Sequence, residues 1–281
     1  MRYCAFVVVA VCLAGLVTVQ RALGQTVAYY RFEEGTAGQE ATASGGVLDS
    51  SGNGLNGTGV NGPVYSSNVP VSTVPATGAP DKLSMQFNGN EQTVFIPDNP
   101  DFILTHSLTV EAYINVAAVP NASGDIFFRG DNRGGLDTYG LNVFPGTAPI
   151  LEFYFYSPSN DLVTLRTTLP GYNQWEYVAG VLNDATNTMS VYVNGNLENT
   201  LTTTERPNGA LDPTQDPGEA IGGQQSFAYG NIASFDGLID EVRISNGALT
   251  PNQFLDAVPE PASVSLLAIG AMGLLGRRRR A

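Results

Sequence analysis

Between residues 25 and 257 the chain offers no amphipathic helix of normal length, and this constrains its fold more than any motif does. Apolar positions never recur at three- and four-residue spacing for long enough to stripe a helix; only 250–256 has room for one helical turn or two. Short runs rich in Val, Ile, Tyr and Phe alternate with polar positions instead, bounded by Gly, Pro, Asn, Ser and Thr. A period of two puts the apolar side chains on one face of a strand. By this pattern 26–32, 82–87, 93–96, 107–116, 125–129, 138–144, 151–156, 176–182, 188–193 and 237–244 read as strands. Asn194-Gly195 follows one of them and supplies the two positive-φ residues of a tight hairpin. The stretches 57–80 and 206–219 have no apolar pattern and read as long loops. About 235 residues of short strands predict one all-β domain, a two-sheet antiparallel jelly-roll sandwich large enough for a sizeable core.

The two ends are of another kind. Residues 1–24 carry Arg2, an apolar run 5–19, and small residues in Ala22-Leu23-Gly24. This reads as a signal helix for the Sec machinery, cut before Gln25. Both cysteines, Cys4 and Cys12, fall inside it, without the Leu-x-Gly/Ala context of lipid attachment. Disulfides, thiolate chemistry and Cys-ligated metal are thereby excluded from residues 25–257. Residues 258–281 run from Val258-Pro259-Glu260-Pro261 through an uncharged stretch, 262–276, to Arg277, Arg278, Arg279, Arg280 and Ala281. The stretch is shorter than the ~20 residues of a full helical span, but arginines can snorkel to lengthen its reach. The positive-inside rule leaves those arginines cytoplasmic and the preceding domain outside. A short C-terminal transmembrane helix with transient inner-membrane anchoring is expected. The segment resembles the PEP-CTERM sorting signal of Gram-negative bacteria. That resemblance implies an exosortase-type partner that recognises Pro259, Glu260 and Pro261, cuts the tail, and leaves the protein at the cell surface or outside.

The chain as a whole carries 13 Lys+Arg against 26 Asp+Glu. Without the two ends, seven basic and 25 acidic residues remain, near −18, with Lys82 the only lysine. Nucleic acid and anionic membrane are excluded as partners by this charge, while cations, neutral glycans and basic proteins are favoured.

Several ordered segments complete the pattern: Val27-Ala28-Tyr29-Tyr30-Arg31-Phe32-Glu33-Glu34-Gly35, Leu83-Ser84-Met85-Gln86-Phe87-Asn88-Gly89, Ser107 through Ile114, Trp175 through Gly180, Ser190-Val191-Tyr192-Val193-Asn194-Gly195, and Asp236-Gly237-Leu238-Ile239-Asp240-Glu241-Val242-Arg243-Ile244. Together they resemble a LamG-like jelly roll of the concanavalin A-like lectin/glucanase superfamily, over nearly all of residues 25–257. The family often has Trp where this chain has Tyr30 and Tyr113, and His where it has Glu176. The resemblance implies a fold shared by lectins and glucanases, and often one structural calcium between the terminal strands.

Catalysis finds little support. His106 is the only histidine, in a turn before a strand; it reads as a solvated turn residue rather than the base of a Ser-His-Asp arrangement, and a histidine zinc site is excluded for want of ligands. The Glu-x-Asp-x-x-Glu pattern of sandwich glucanases is missing. Glu33-Glu34 and Asp240-Glu241 are adjacent residues, which point to opposite faces of a strand. A retaining pair needs two carboxylates ~5 Å apart. Calcium is a better use: Glu34 is in phase with Tyr30 and Phe32, Asp240 is in phase with Leu238 and Val242, and Asp49 sits in a Ser/Gly/Asn turn that could add oxygens. A hydrogen bond from backbone N–H, or an arginine, would satisfy Asp240 equally well. For sugar, Tyr139, Tyr154 and Tyr156 are the candidate platforms, among other aromatics (Phe144, Tyr172, Phe227) of the middle region. Alternation puts Tyr154 and Tyr156 on one face and Phe153 and Phe155 on the other. That face is either a binding surface or ordinary sandwich surface. Trp175 reads as core. The expectation is an exported, non-catalytic cell-surface or matrix module that binds carbohydrate. A structural or adhesive protein that binds protein, and a glycoside hydrolase, are the alternatives.

Overall fold

The computed structural model describes residues 24–133, 137–209, 211–226 and 233–258. Its strands, in chain order, are β1 (Gln25–Tyr30), β2 (Thr58–Val60), β3 (Val64–Ser66), β4 (Ser84–Asn88), β5 (Thr93–Pro97), β6 (Leu108–Ala118), β7 (Gly124–Gly130), β8 (Tyr139–Phe144), β9 (Ile150–Tyr156), β10 (Leu162–Thr168), β11 (Trp175–Asn183), β12 (Thr188–Val193), β13 (Asn196–Thr202), β14 (Gly218–Ile221) and β15 (Asp236–Asn246). They form two antiparallel sheets. The first runs β13-β12-β11-β6-β15-β4-β3, with β1 also paired to β15; the second runs β10-β9-β8-β7-β14-β5-β2. This is the two-sheet sandwich that the alternation predicts.

Each of the ten expected runs contains a strand. Expected loop 57–80 holds β2 and β3, and expected loop 206–219 runs into β14. Strands β10 and β13 were not expected. Both end a sheet, and β13 (Asn-Leu-Glu-Asn-Thr-Leu-Thr) is exposed along almost its whole length, so no buried face writes an alternating pattern into it. The helical turn expected at 250–256 is a short 3₁₀ segment, Pro251–Gln253, where Thr250 donates its N–H to Gln253 Oε1 at 2.9 Å.

The core lies between the sheets. Val110, Ala112, Ile114 and Val116 of β6 and Val178 and Leu182 of β11 meet Phe127, Leu141, Val143, Leu151, Phe153 and Phe155 from the second sheet. Gly180 is required where they meet: a Cβ there would come within 2.4 Å of the Phe153 ring. On its other face the first sheet carries a second apolar cluster, in which Phe254 and Leu255 cover Tyr113 and Tyr177. Glu111 is buried beneath this segment. It is satisfied there by the Arg243 guanidinium at 2.5 Å, by the Tyr177 hydroxyl and by Leu255 N–H at 3.0 Å. Among the described residues, no such apolar segment packs on the outward face of β7, β8, β9 and β10.

Candidate functional site

Strand register on the second sheet places Asp125, Asn142, Glu152 and Arg166 side by side across β7, β8, β9 and β10. Four polar residues in one row, between strands rich in Phe and Leu, face away from the core. An irregularity between Asp125 and Phe127 makes the row possible. Ile126 is the extra residue of a bulge and turns inward with Phe127, which leaves Asp125 on the outward side. The neighbouring row holds Phe128, Gly140, Tyr154 and Thr164. Gly140 lets Tyr154 lie flat across β8, since a Cβ there would meet the tyrosine hydroxyl and ring at 2.6–2.7 Å.

These rows floor a cavity of about 240 Å³, walled by Phe144, Tyr156, Leu162 and Asp137 and by Ala122, Ser123, Gln224 and Ala233. Glu152 accepts hydrogen bonds from Thr164 Oγ1 and from Arg166 Nε at 2.5 Å, and the Arg166 guanidinium lies 4.2 Å over the Phe144 ring. The Asn142 amide is bonded to Asp125, and Asn142 Oδ1 has no partner at 6% exposure. Burial, and next the charge of Asp137, pushes the Asp125 carboxyl well above the usual carboxylate range. Burial, with Asp131 nearby, pushes Asp137 up to about 7. The Tyr154 hydroxyl is raised too, by burial first and then by Asp137 and Asp125. The cavity is thus rich in carboxyl and amide oxygens, some of whose carboxyls hold their protons more tightly than free ones, with aromatic rings beside them.

A second cluster lies in the first sheet where β15 changes partners. Residues 236–239 pair with β4 and 242–246 with β1, and the register breaks between Asp240 and Arg243. Glu241 takes the left-handed conformation there (φ 50°). One carboxylate oxygen each of Asp81, Asp240 and Glu241 lies within 4.8 Å of the others. Asp240 Oδ1 accepts the Glu241 N–H at 2.8 Å, but Oδ2 has no donor; Asp81 is approached by the Val71 N–H, and neither of its oxygens makes a hydrogen bond of ordinary geometry. These two carboxyls can bond to each other only if one keeps a proton. Glu241 accepts from the Tyr29 hydroxyl and from Arg31 Nε at 3.1 Å. Burial, then Glu33, pushes Asp81 up to about 6; burial pushes Glu241 up to about 7; burial, then Asp81 and Glu241, pushes Asp240 well above its ordinary value. Orphaned buried carboxylate oxygens converging on one point are what a hard cation takes as ligands.

Residues 88–253 match the laminin-G-type family model of the concanavalin A-like lectin/glucanases superfamily. The chain belongs to this superfamily. Residues 257–280 match the PEP-CTERM protein-sorting motif. Among solved structures, the concanavalin A-like domain is similar to domain 4 of AbnA, a GH43 extracellular arabinanase from Geobacillus stearothermophilus, in complex with arabinotriose. The identity is 20%, covering 84% of this chain and 99% of that one, with a TM-score of 0.54. It is also similar to the binding domain of Paraclostridial Mosquitocidal Protein 1 (15% identity, 83% and 51% covered, TM-score 0.53). A third likeness is the receptor binding domain of botulinum neurotoxin mosaic serotype C/D (13%, 82% and 49%, TM-score 0.52). The chain spans about half the length of the two toxin domains, and at these identities the likeness is one of fold. No curated protein matches the chain.

Within this superfamily member the expected site residues divide. Tyr154 and Tyr156 share a face and line the cavity. Tyr139 does not: it pairs with Phe155, on the core side, is fully buried and donates its hydroxyl to Phe102 O at 2.9 Å. Asp240 belongs to the carboxylate cluster, but Glu34 and Asp49 do not. Phe32 is left-handed (φ 58°), which ends β1 at Tyr30 and breaks the phase that linked Glu34 to it. Glu34 instead accepts the Tyr65 hydroxyl at 3.0 Å. Asp49 is saturated by the N–H groups of Tyr29, Ser51 and Leu55 and by Ser51 Oγ, at 2.7–3.1 Å. Trp175 is partly buried beside the second apolar cluster, and His106 is exposed, 3.4 Å from Asp184. The signal segment, Phe227, Pro259, Glu260, Pro261 and Arg277–Arg280 lie outside the described residues. Among those described, no helix is long and apolar enough to cross a membrane. Asp125, Asp137, Asn142, Glu152 and Arg166 were not anticipated. Glu152 has the parity of Tyr154 on β9 and could have been found by it; Asn142 joins it only through the register of β8, and Asp125 is hidden by the bulge.

Proposed function

We propose that the protein is a non-catalytic carbohydrate-binding module, exported through Sec and handled at the membrane by an exosortase-type enzyme before display at the cell surface or release. The observation that carries the binding reading is the outward row Asp125–Asn142–Glu152–Arg166 beneath Tyr154 and Tyr156. It joins polar groups that fix hydroxyls to rings that cover the apolar face of a sugar. The sugar-bound arabinanase domain supports the reading by its fold, and the sorting motif supports the address. Asp125 and Glu152 stand two strands apart, about 9.6 Å between backbones, with Asn142 between them. Glu152 is further tied to Arg166 and Thr164. In the same reading Asp81, Asp240 and Glu241 hold one structural calcium that stabilises the fold away from the sugar.

A polysaccharide array with calcium present tests the binding reading. Capture of at least one glycan, weakened about tenfold by Tyr156→Ala, is expected. No capture of any glycan by folded protein would leave the structural or adhesive alternative standing. Turnover of a captured glycan would replace the module with a hydrolase.

A further inference from the structure

We propose that the outward cavity of the second sheet takes a sugar unit bearing a free primary ammonium, one amino-sugar residue at a time. This rests on the carbohydrate reading above and names its ligand class.

The hydrogen-bond inventory of the cavity is lopsided. Asp125, Asp137, Glu152 and Asn142 Oδ1 are acceptors. The Arg166 guanidinium is engaged by Glu152 and stacked on Phe144. With every carboxyl ionised the lining carries three negative charges against one guanidinium, and the raised Asp125 and Asp137 carboxyls give up their protons more readily beside an incoming cation. A neutral hydroxyl brings one donor; an acetamido group brings one N–H and a carbonyl that would face other acceptors. An ammonium brings three donors, no acceptor, and the missing positive charge.

Asn142 supplies an independent sign of a ligand. It is more than nine-tenths buried, lines the cavity, and its Oδ1 has no partner. A buried acceptor left unmade costs about 1–3 kcal/mol, which an incoming donor would recover.

Two features favour an amino sugar over a bare metal ion. The carboxylates of this cavity do not converge: among the described residues the group with oxygens close enough for one ion is Asp81, Asp240 and Glu241. The Tyr154 and Tyr156 rings beside the carboxylates suit a sugar face, and also a cation. The cavity's ~240 Å³ falls below the ~300 Å³ at which drug-sized pockets begin, which limits it to one small unit.

The test is calorimetric titration of the full-length protein in detergent at pH 7, with calcium, against three probes. These are a hexamer of β-1,4-linked glucosamine, its fully N-acetylated counterpart and hexalysine. The glucosamine hexamer is expected to bind at least tenfold tighter than either of the others. In an Asp125→Asn/Asp137→Asn double variant that preference is expected to vanish, the two hexamers binding alike, with a melting temperature no lower than the parent's. Equal or tighter binding of the acetylated hexamer overturns the amino-sugar inference and leaves the carbohydrate reading intact. Binding of neither hexamer overturns the amino-sugar inference; the carbohydrate reading falls with it only if the array, too, captures no glycan. Hexalysine bound as tightly as the glucosamine hexamer, or a preference that survives the double variant, assigns the attraction to the chain's overall negative charge and overturns the inference.

Discussion

Chelating divalent cations at pH 8 is expected to lower the melting temperature of this protein by about 5–10 °C, and to leave an Asp240→Asn variant unmoved. Three carboxylates share the break in β15 with one guanidinium, that of Arg31. Moving Asp81 from 3.8 to about 6 corresponds to about 3 kcal/mol at full burial, and about 2 once solvent screening is allowed for. Because these carboxyls are raised, the folded state holds their protons more tightly than the unfolded one. Without metal, the trio therefore favours the fold at low pH, and this contribution is lost as pH rises from near 4 through 6 to 7. A bound dication reverses the trend, because it needs the protons gone. At a hundredfold excess over its dissociation constant it adds about 2.7 kcal/mol, or 5–10 °C for a domain of this size. At pH 5, where Asp81 and Glu241 keep their protons, at least tenfold of that affinity is lost. Asparagine at 240 keeps the acceptor for Glu241 N–H while removing one charge. With chelator at pH 8 the variant should melt above the parent by a few degrees, and with calcium below it. Differential scanning fluorimetry at both pH values, with 1 mM calcium or excess chelator, reads all four states. A parent that melts identically with and without calcium at pH 8, or a variant that gains as much as the parent, would refute the assignment.

Gly140→Val should push the Tyr154 ring off the sheet, because the added Cβ alone would lie 2.6 Å from its hydroxyl; glycan capture is lost and urea unfolding shows about 1–3 kcal/mol of destabilisation. Tyr139→Phe strips the hydroxyl from Phe102 O deep in the core, so urea unfolding should show about 1–2 kcal/mol lost with glycan binding unchanged. Replacing Arg277–Arg280 with serine removes the positive charge behind the apolar stretch. Fractionation of a host that carries the sorting enzyme should then find the protein unprocessed, and normal processing would contradict the role given to those arginines.

Alternation made the sandwich legible because buried faces write themselves into sequence. It was silent at β13, where nothing is buried. The same parity placed Tyr154 with Tyr156 correctly, but parity within one strand says nothing about the next. Tyr139 falls on the core side because register pairs it with Phe155 rather than with Tyr154. Asp125 escaped because one inserted residue, Ile126, inverts the phase of β7 midway. The metal candidates failed for a related reason. Asp49 and Glu34 are satisfied by hydrogen-bond donors of the protein, whereas Asp81 and Asp240 bring oxygens without such donors together through the fold. No local pattern in the sequence joins those last two.

The segment that ends at Val258 packs through Phe254 and Leu255 on the outward face of the first sheet, and Gln25 lies opposite Asn246 in that same sheet. Both ends of the domain therefore leave from one side, and the Asp125–Arg166 row opens on the other. A tether joined at Val258 holds the domain by its back. A pull on that tether loads the aromatic cluster under Phe254 before it reaches any residue of the Asp125–Arg166 row.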